Sequence, residues 1–190
     1  MYQKYHTEAL VLKSYESGEA DRMLVLYTKD FGLVRARASA VRAEYSKMRY
    51  AVQHYSRANI SLVKGKRGWR AAGASAWGTL SGDTRGIAAF ARIAELTVRL
   101  VQGEERNEYL FAALAEAHGA LAAPLCDAFG TIELVCVARM LYALGYISTE
   151  ALSTALFTHT AYTGESLLEA ETMKDKLLVS INKAIAETQL

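Results

Sequence analysis

The spacing of the apolar residues changes once along the chain, near residue 80, and this change most strongly constrains the fold. Before it, short apolar runs rich in strand-forming residues, such as TEALVLK (7–13) and RMLVLYT (22–28), alternate with turn-forming residues such as SGEAD. After it, apolar residues recur three and four positions apart, as they do on the packed face of a helix. The sequence therefore predicts a strand-rich half followed by a helical half.

Five short strands are predicted within the first 80 residues. The two runs above are followed by LVRARASA, which begins at Leu33, and by ANISLV (58–63) and WRAAGASA (69–76), which the loop KGKRG joins. A small sheet of this kind removes its exposed edges by closing into a barrel. The predicted class is α+β, with an N-terminal OB-fold β-barrel in residues 1–80 and an all-α helical domain in residues 81–190.

The helical half is predicted to contain three long apolar helices and several shorter ones. The long ones cover 86–102, 107–121 and 127–145, and the shorter ones are 151–157 (capped by Ser148-Thr-Glu), a helix opening at Gly164, and 173–187. In the last helix Leu177, Leu178, Ile181 and Ile185 are expected to form one buried stripe.

Charge is divided unevenly between the two halves. Residues 1–80 hold 14 Lys and Arg against 6 Asp and Glu, a net charge of +8, whereas residues 81–190 hold 8 against 14, a net charge of −6. A basic half joined to an acidic half is typical of a nucleic-acid-binding module attached to another domain. The bland alternative is that these are solvated charges on an ordinary surface.

The positive charge concentrates in two places. Period-two alternation in LVRARASA puts two arginines on the solvent face of one strand, and the connection after it and the KGKRG loop supply further cations, interleaved with aromatic residues. On an OB-fold these positions suit phosphate contacts and base stacking. The candidate nucleic-acid-binding residues are Arg35, Arg37, Arg42, Tyr45, Lys47, Arg49, Tyr50, Lys64, Lys66, Arg67, Trp69 and Arg70. Trp77, near the boundary, is expected to pack between the barrel and the helices.

No sequence motif indicates catalysis, a metal or a cofactor. Cys126 and Cys136 lie ten residues apart on one predicted helix and are expected to be core residues, and no Walker A loop or nucleophile elbow is present. We therefore expect a protein that is not an enzyme, with no catalytic residues, no metal ligands and no cofactor. No apolar run is long enough to span a membrane, and a cytoplasmic location is expected.

The N-terminal sequence resembles the RecO family of recombination-mediator proteins. The resemblance lies in TEALVLKSYESGEADRMLVLYTKDFGLVRARASAVR, where a GEADR-type turn and an FG turn separate three strands, and continues through SKMRYAVQHYS and SLVKGKRGWR. It covers about the first 80 residues, and the helical half is similar in kind. Many family members insert a four-cysteine zinc module after a helix ending in LGY, whereas here GYISTEALSTALF contains no cysteine, so no zinc is predicted.

The resemblance implies a role without catalysis in DNA repair and recombination. Its members bind single- and double-stranded DNA, anneal complementary strands and load recombinase together with RecR and single-strand-binding protein, the latter engaged through its C-terminal tail. It also implies a bacterial, nucleoid-associated protein. Two other readings share the electrostatics: an OB-fold adaptor that binds an acidic protein surface, and an RNA-binding OB protein.

Overall fold

The computed structural model describes residues 3–123, 127–148 and 154–188. The chain forms two compact units, one made of Met1–Leu80 and Gln102–Asn107, the other of Ser81–Val101 and Glu108–Leu190. The segment 102–107, which the sequence assigns to the helical half, thus belongs to the first unit.

The first unit is a closed five-stranded barrel, which confirms the predicted OB-fold. Its strands are adjacent in the order β1-β2-β3-β5-β4. All contacts between neighbours are antiparallel except that between β3 and β5, which is parallel. The strands are β1 (Lys4–Ser17), β2 (Asp21–Thr28), β3 (Gly32–Ala38), β4 (Ser56–Gly65) and β5 (Gly68–Thr79).

The first strand is long enough to pair with its two neighbours along different parts of its length. Lys4–Leu10 pairs with β4, and Ala9–Ser17 pairs with β2, with an irregularity between Val11 and Lys13. A bulge adds one residue and bends the strand, so a single strand can follow the curve of a small barrel.

Small side chains fill the barrel interior. The buried core combines Val34, Ile60 and Leu62 with several alanines, including Ala36 and Ala38, because a five-stranded barrel leaves little room inside. Residues 39–55, which connect β3 to β4, form a series of turns. Their buried side chains Val41, Ala51 and Val52 belong to the same core, so this connection packs on the barrel.

Gly32 of the FG turn makes a close backbone contact with the segment 102–107. Its φ of 62° is in the left-handed region, and a Cβ built there would lie 2.2 Å from the carbonyl oxygen of Glu105. Only glycine fits both the φ angle and the approach.

The second unit is all-α. Its helices are α1 (Thr84–Leu100), α2 (Glu108–Leu121), α3 (Phe129–Ala143), α4 (Gly164–Thr172) and α5 (Lys174–Glu187), with a 3-10 turn at Ala155–Phe157. Asp83 caps α1 by accepting a hydrogen bond from the backbone N–H of Arg85, at 2.8 Å. The apolar helix α3 packs against α1, α2 and α5 and forms the centre of this unit.

A fully buried arginine fixes the chain after α3. Arg139 donates from Nε to the carbonyl of Leu156 at 2.9 Å and from Nη1 to that of Thr160 at 2.7 Å. Its guanidinium carbon lies 4.7 Å from the centre of the Tyr162 ring. The charge is thus compensated by carbonyl dipoles and an aromatic face.

The last helix differs from its predicted buried face at Leu178. The buried stripe of α5 is Leu177, Ile181 and Ala184; Leu178 is 41 % exposed, so its assignment to that stripe was wrong. Some predicted features of this half lie outside the described residues: the cap at Thr149 and Glu150, the start of the segment 151–157, and Cys126. No helix among the described ranges is long and apolar enough to cross a membrane.

Replacing Gly32 with alanine should destabilise the first unit by about 2 kcal/mol or more. The cost of a positive φ in alanine and the cost of the clash with the backbone of Glu105 both contribute to this loss. The measurement is the free energy of unfolding in urea. Gly18→Ala is the matched control, because Gly18 also has a positive φ (74°) but a Cβ added to it would meet no atom within 4 Å. Equal losses in the two variants would contradict the close approach at Gly32.

Replacing Arg139 with alanine should destabilise the helical unit by about 3 kcal/mol or more, because the variant leaves buried carbonyls without donors and opens a cavity. Arg92→Ala, which breaks the exposed ion pair of Arg92 with Glu133 at 2.5 Å, should cost about 0–1 kcal/mol. Loss of helical circular dichroism in urea measures both. A small effect at Arg139 would show that its carbonyl contacts do not hold the segment after α3.

Candidate nucleic-acid interface

Two basic clusters that lie about 30 residues apart in sequence meet in one groove of the barrel. The groove has a volume of about 540 Å³ and is lined by side chains from β2 and β3, the β4–β5 loop and the start of β5. The parallel register of β3 and β5 places Arg37 opposite Arg70. The cations that line the groove are Arg35, Arg37, Lys66, Arg67 and Arg70.

One of these five cations is paired with a carboxylate. It is Arg37, whose Nη2 lies 2.6 Å from Oδ2 of Asp21. Within residues 3–123, 127–148 and 154–188, no carboxylate pairs with Arg35, Lys66, Arg67 or Arg70. The groove therefore keeps a positive potential that the described part of the fold does not neutralise.

Asp21, in the GEADR turn, has a structural role in the barrel. Besides its contact with Arg37, its Oδ1 accepts a hydrogen bond from the backbone N–H of Ala40 at 2.7 Å. The turn thereby ties the start of β2 to the residues just after β3. These two bonds, the one from Ala40 first, hold the pKa of Asp21 below its ordinary value of 3.8.

The candidates in the β3–β4 connection lie outside the groove lining. Arg42 pairs with Glu16 at 3.0 Å, and Arg49 donates to the Tyr50 hydroxyl at 2.8 Å while its guanidinium lies over the same ring. Lys47 is exposed, and Tyr45 and Tyr50 are 85 % and 64 % exposed, so both rings are accessible for stacking. The structure thus brings six of the twelve candidates together in the groove lining, five cations and Trp69. The five candidates of the β3–β4 connection lie outside that lining.

Trp69, one of the candidate nucleic-acid-binding residues, has its ring in the barrel core. It is 6 % exposed and packs in the core against Tyr5 and Phe31, with ring centres 5.6 and 5.2 Å away. Its Nε1–H donates to Oε1 of Glu104 at 2.8 Å, so its polar atom is also engaged. A ring buried by this packing is not available to a nucleotide.

Glu104 also removes Lys64 from the groove. The Lys64 ammonium lies 2.7 Å from Oε2 of Glu104 and 5.0 Å from the centre of the Trp69 ring. These contacts, led by the bond from Lys64, hold the pKa of Glu104 below its usual range. Sequence reasoning missed Glu104 because it lies 40 residues from Lys64, in the acidic half.

The groove offers hydrogen-bond donors and positive charge. Among the described residues no cluster of three or more His, Cys, Asp or Glu could hold a metal ion. Cys136 is a buried free cysteine, and burial raises the pKa of its thiol to about 12. What the arrangement can do is bind a polyanion.

A closed five-stranded barrel with a cationic groove beside the β4–β5 loop defines the class of OB-fold binding domains. Residues 1–70 match the family model described as "Recombination protein O N terminal". The first 70 residues are therefore similar to the N-terminal domain of the RecO family, the family that the sequence resembles.

Curated relatives agree with this assignment. A protein of Desulfitobacterium hafniense (strain DSM 10664 / DCB-2), named DNA repair protein RecO, is 42% identical over 62 residues, which cover 33% of this chain and 23% of that protein. A protein of the same name from Pelotomaculum thermopropionicum is 31% identical over 110 residues, or 56% of this chain and 43% of the relative. The chain therefore matches less than half the length of these relatives.

Loss of the Asp21 contacts should make stability less dependent on pH. A carboxylate whose folded pKa is lowered stabilises the fold above its unfolded pKa, and this contribution disappears as pH falls through the folded value. We expect the difference in unfolding free energy between the wild type and Asp21→Asn to be present at pH 7 and to shrink below about pH 4. Urea titrations at pH 7, 5, 4 and 3 measure it. A difference that stays constant down to pH 3 would contradict the role given to the ionised carboxylate.

Proposed function

We propose that this protein is a DNA-binding mediator of DNA repair and recombination that acts without catalysis. The observation that carries the proposal is the convergence of Arg35 with Lys66, Arg67 and Arg70 in one groove with no pairing carboxylate among the described residues. The match of residues 1–70 to the RecO family model and the names of the relatives support the DNA repair role.

The groove would hold the phosphate backbone of DNA. Each phosphate neutralised by a cation releases condensed counterions, which drives binding and makes it weaken with salt. The exposed tyrosines of the β3–β4 connection, Tyr45 and Tyr50, would add stacking to bases that leave the groove. The phosphate contacts are available on single and double strands alike, so both would bind in the groove, whereas the stacking contacts would be made by unpaired bases.

Annealing of complementary strands follows from the same electrostatics. Two strands repel each other through their phosphates, and a protein that neutralises part of that charge lowers the repulsion during encounter. In this proposal RecR and single-strand-binding protein, through its C-terminal tail, are the partners in recombinase loading. The family resemblance is the support for these partners, and binding of the purified proteins by gel filtration tests them.

Reversing three groove charges should weaken binding of a fluorescent single-stranded oligonucleotide and lower its salt dependence. Four unpaired cations predict a slope of log affinity against log salt of about −3, since each single-strand contact contributes about −0.7. The variant Arg35→Glu, Arg67→Glu, Arg70→Glu should lose about two units of that slope and most of the annealing acceleration.

The control is Arg99→Glu, Lys176→Glu, Lys183→Glu, which makes the same change of net charge at exposed positions of the helical unit. Equal losses in the control would mean that overall charge, rather than the groove, drives binding. No binding by the wild type at low salt would overturn the proposal and favour an acidic protein surface as the ligand of the barrel. Preference for RNA over DNA of the same sequence would favour the RNA-binding reading.

A further inference from the structure

The β4–β5 hairpin carries an exposed tryptophan at the end opposite the basic groove. Trp77, which was expected from the sequence to pack between the barrel and the helices, is 62 % exposed. In the β4–β5 register Arg57 pairs with Gly78 and Ala58 with Ala76, which leaves Trp77 as the extra residue of a bulge. Bulges direct a side chain away from the regular pleat and recur near binding sites.

Contacts from neighbouring strands hold one face of this ring in place. The guanidinium of Arg57 lies 5.1 Å from the ring centre of Trp77. The Nε of Arg57 in turn donates to Oε1 of Glu8, at 2.5 Å, and both side chains are largely covered. The arginine charge is therefore compensated by Glu8, and the indole is a preorganised and nearly uncharged platform.

The outer face of the hairpin connects this platform with the groove. From the groove end, the outward pairs along the two strands are Val63 with Arg70, Ser61 with Gly73, and Asn59 with Ser75, followed by Arg57 and Trp77. A cavity of about 460 Å³ lies along the middle of this path. Small side chains line its strand face, so an extended chain can lie close to the backbone.

The charges along the path favour bases over phosphates. Both carboxylates of the middle cavity have partners: Glu8 pairs with Arg57, and Asp30 accepts a hydrogen bond from Thr7 at 2.7 Å. Lys29 and His6 also line it, and His6 Nδ1 lies 2.9 Å from Ser61 Oγ. Because cations and anions nearly balance, this path supplies no counterion-release gain, in contrast to the groove.

We infer that Trp77, backed by Arg57 and Glu8, is a base-stacking site for single-stranded nucleic acid that leaves the basic groove along the outer face of β4 and β5. This inference rests on the function proposed above. Trp77 lies seven positions after Arg70, or about 20 Å along the strand with its bulges. That distance corresponds to about six nucleotides at a stacked spacing of about 3.4 Å, within the range of about 4–16 nucleotides per OB-fold.

The test is binding of oligothymidylates of about 4 and 16 nucleotides across salt concentrations. We expect Trp77→Ala to weaken the 16-mer by about 5- to 100-fold and to leave its salt slope unchanged, because the lost contact is stacking. The 4-mer, which fits within the groove, should bind the variant and the wild type equally. Trp77→Phe should retain most of the affinity, since a phenyl ring still stacks.

Two controls separate stacking from other effects. Tyr146→Ala removes another exposed aromatic ring, after α3 in the helical unit, and should not change binding. Tryptophan fluorescence should be quenched by the 16-mer in the wild type and not in Trp77→Phe, whose remaining tryptophan is the buried Trp69.

The outcomes distinguish this inference from the function on which it rests. In one outcome the wild type binds with an affinity that falls steeply with salt while Trp77→Ala binds the 16-mer equally well. That result would contradict the stacking site and would still support binding in the groove. If the wild type does not bind either oligonucleotide, the proposed function fails first. A weaker dependence of affinity on salt in Trp77→Ala than in the wild type would also contradict the inference, because it would indicate that the variant had lost a phosphate contact.

Discussion

The short parallel pairing of β3 with β5 is the contact on which the N-terminal unit depends. It joins Ala36 to Trp69, Arg37 to Arg70 and Ala38 to Ala71, and it closes the barrel. The chain must bring together strands separated by the whole β3–β4 connection and by β4, which costs loop entropy. The buried side chains of this pairing offset that cost. The same register places Arg37 and Arg70 side by side on the outer surface of the barrel. The pairing that completes the barrel core therefore also forms the groove.

Like charges in adjacent positions of a sheet are unfavourable, and the fold relieves only part of this repulsion. Asp21 neutralises Arg37 and ties the ends of two strands together, and Glu104 neutralises Lys64 while completing the hydrogen bonding of Trp69. Both carboxylates serve the barrel itself. The remaining groove cations contribute nothing comparable to stability, and a cluster that folding does not require is where a ligand is expected.

Much of the N-terminal unit could be predicted from residue periodicity, because alternation in a half-buried strand directly reports the face of each side chain. The clearest example is β3, in which Arg35 and Arg37 were predicted to face outward and are exposed. The two tryptophans of β5 could not be predicted this way. They lie eight residues apart, so a regular strand would place both on one face, but a bulge between Ala71 and Gly73 shifts the alternation. Trp69 therefore enters the core and Trp77 faces outward. Glu104 was missed for another reason: its partners lie in a distant part of the sequence.

A protein that anneals strands must hold them and also release them with their bases free to pair. Phosphate contacts in a groove satisfy the first need, since they leave the Watson–Crick edges untouched and exchange readily with salt ions. Extensive stacking would oppose the second, because every base held on an aromatic ring adds about 1–3 kcal/mol to be overcome before pairing. A barrel that buries Trp69 in its core and offers only a few exposed rings, Trp77 at the far end of the hairpin and Tyr45 and Tyr50 in the β3–β4 connection, would meet both requirements. Electrostatics would then set most of the affinity, and the base stacked on Trp77 would set the direction in which the strand leaves the groove along β4 and β5.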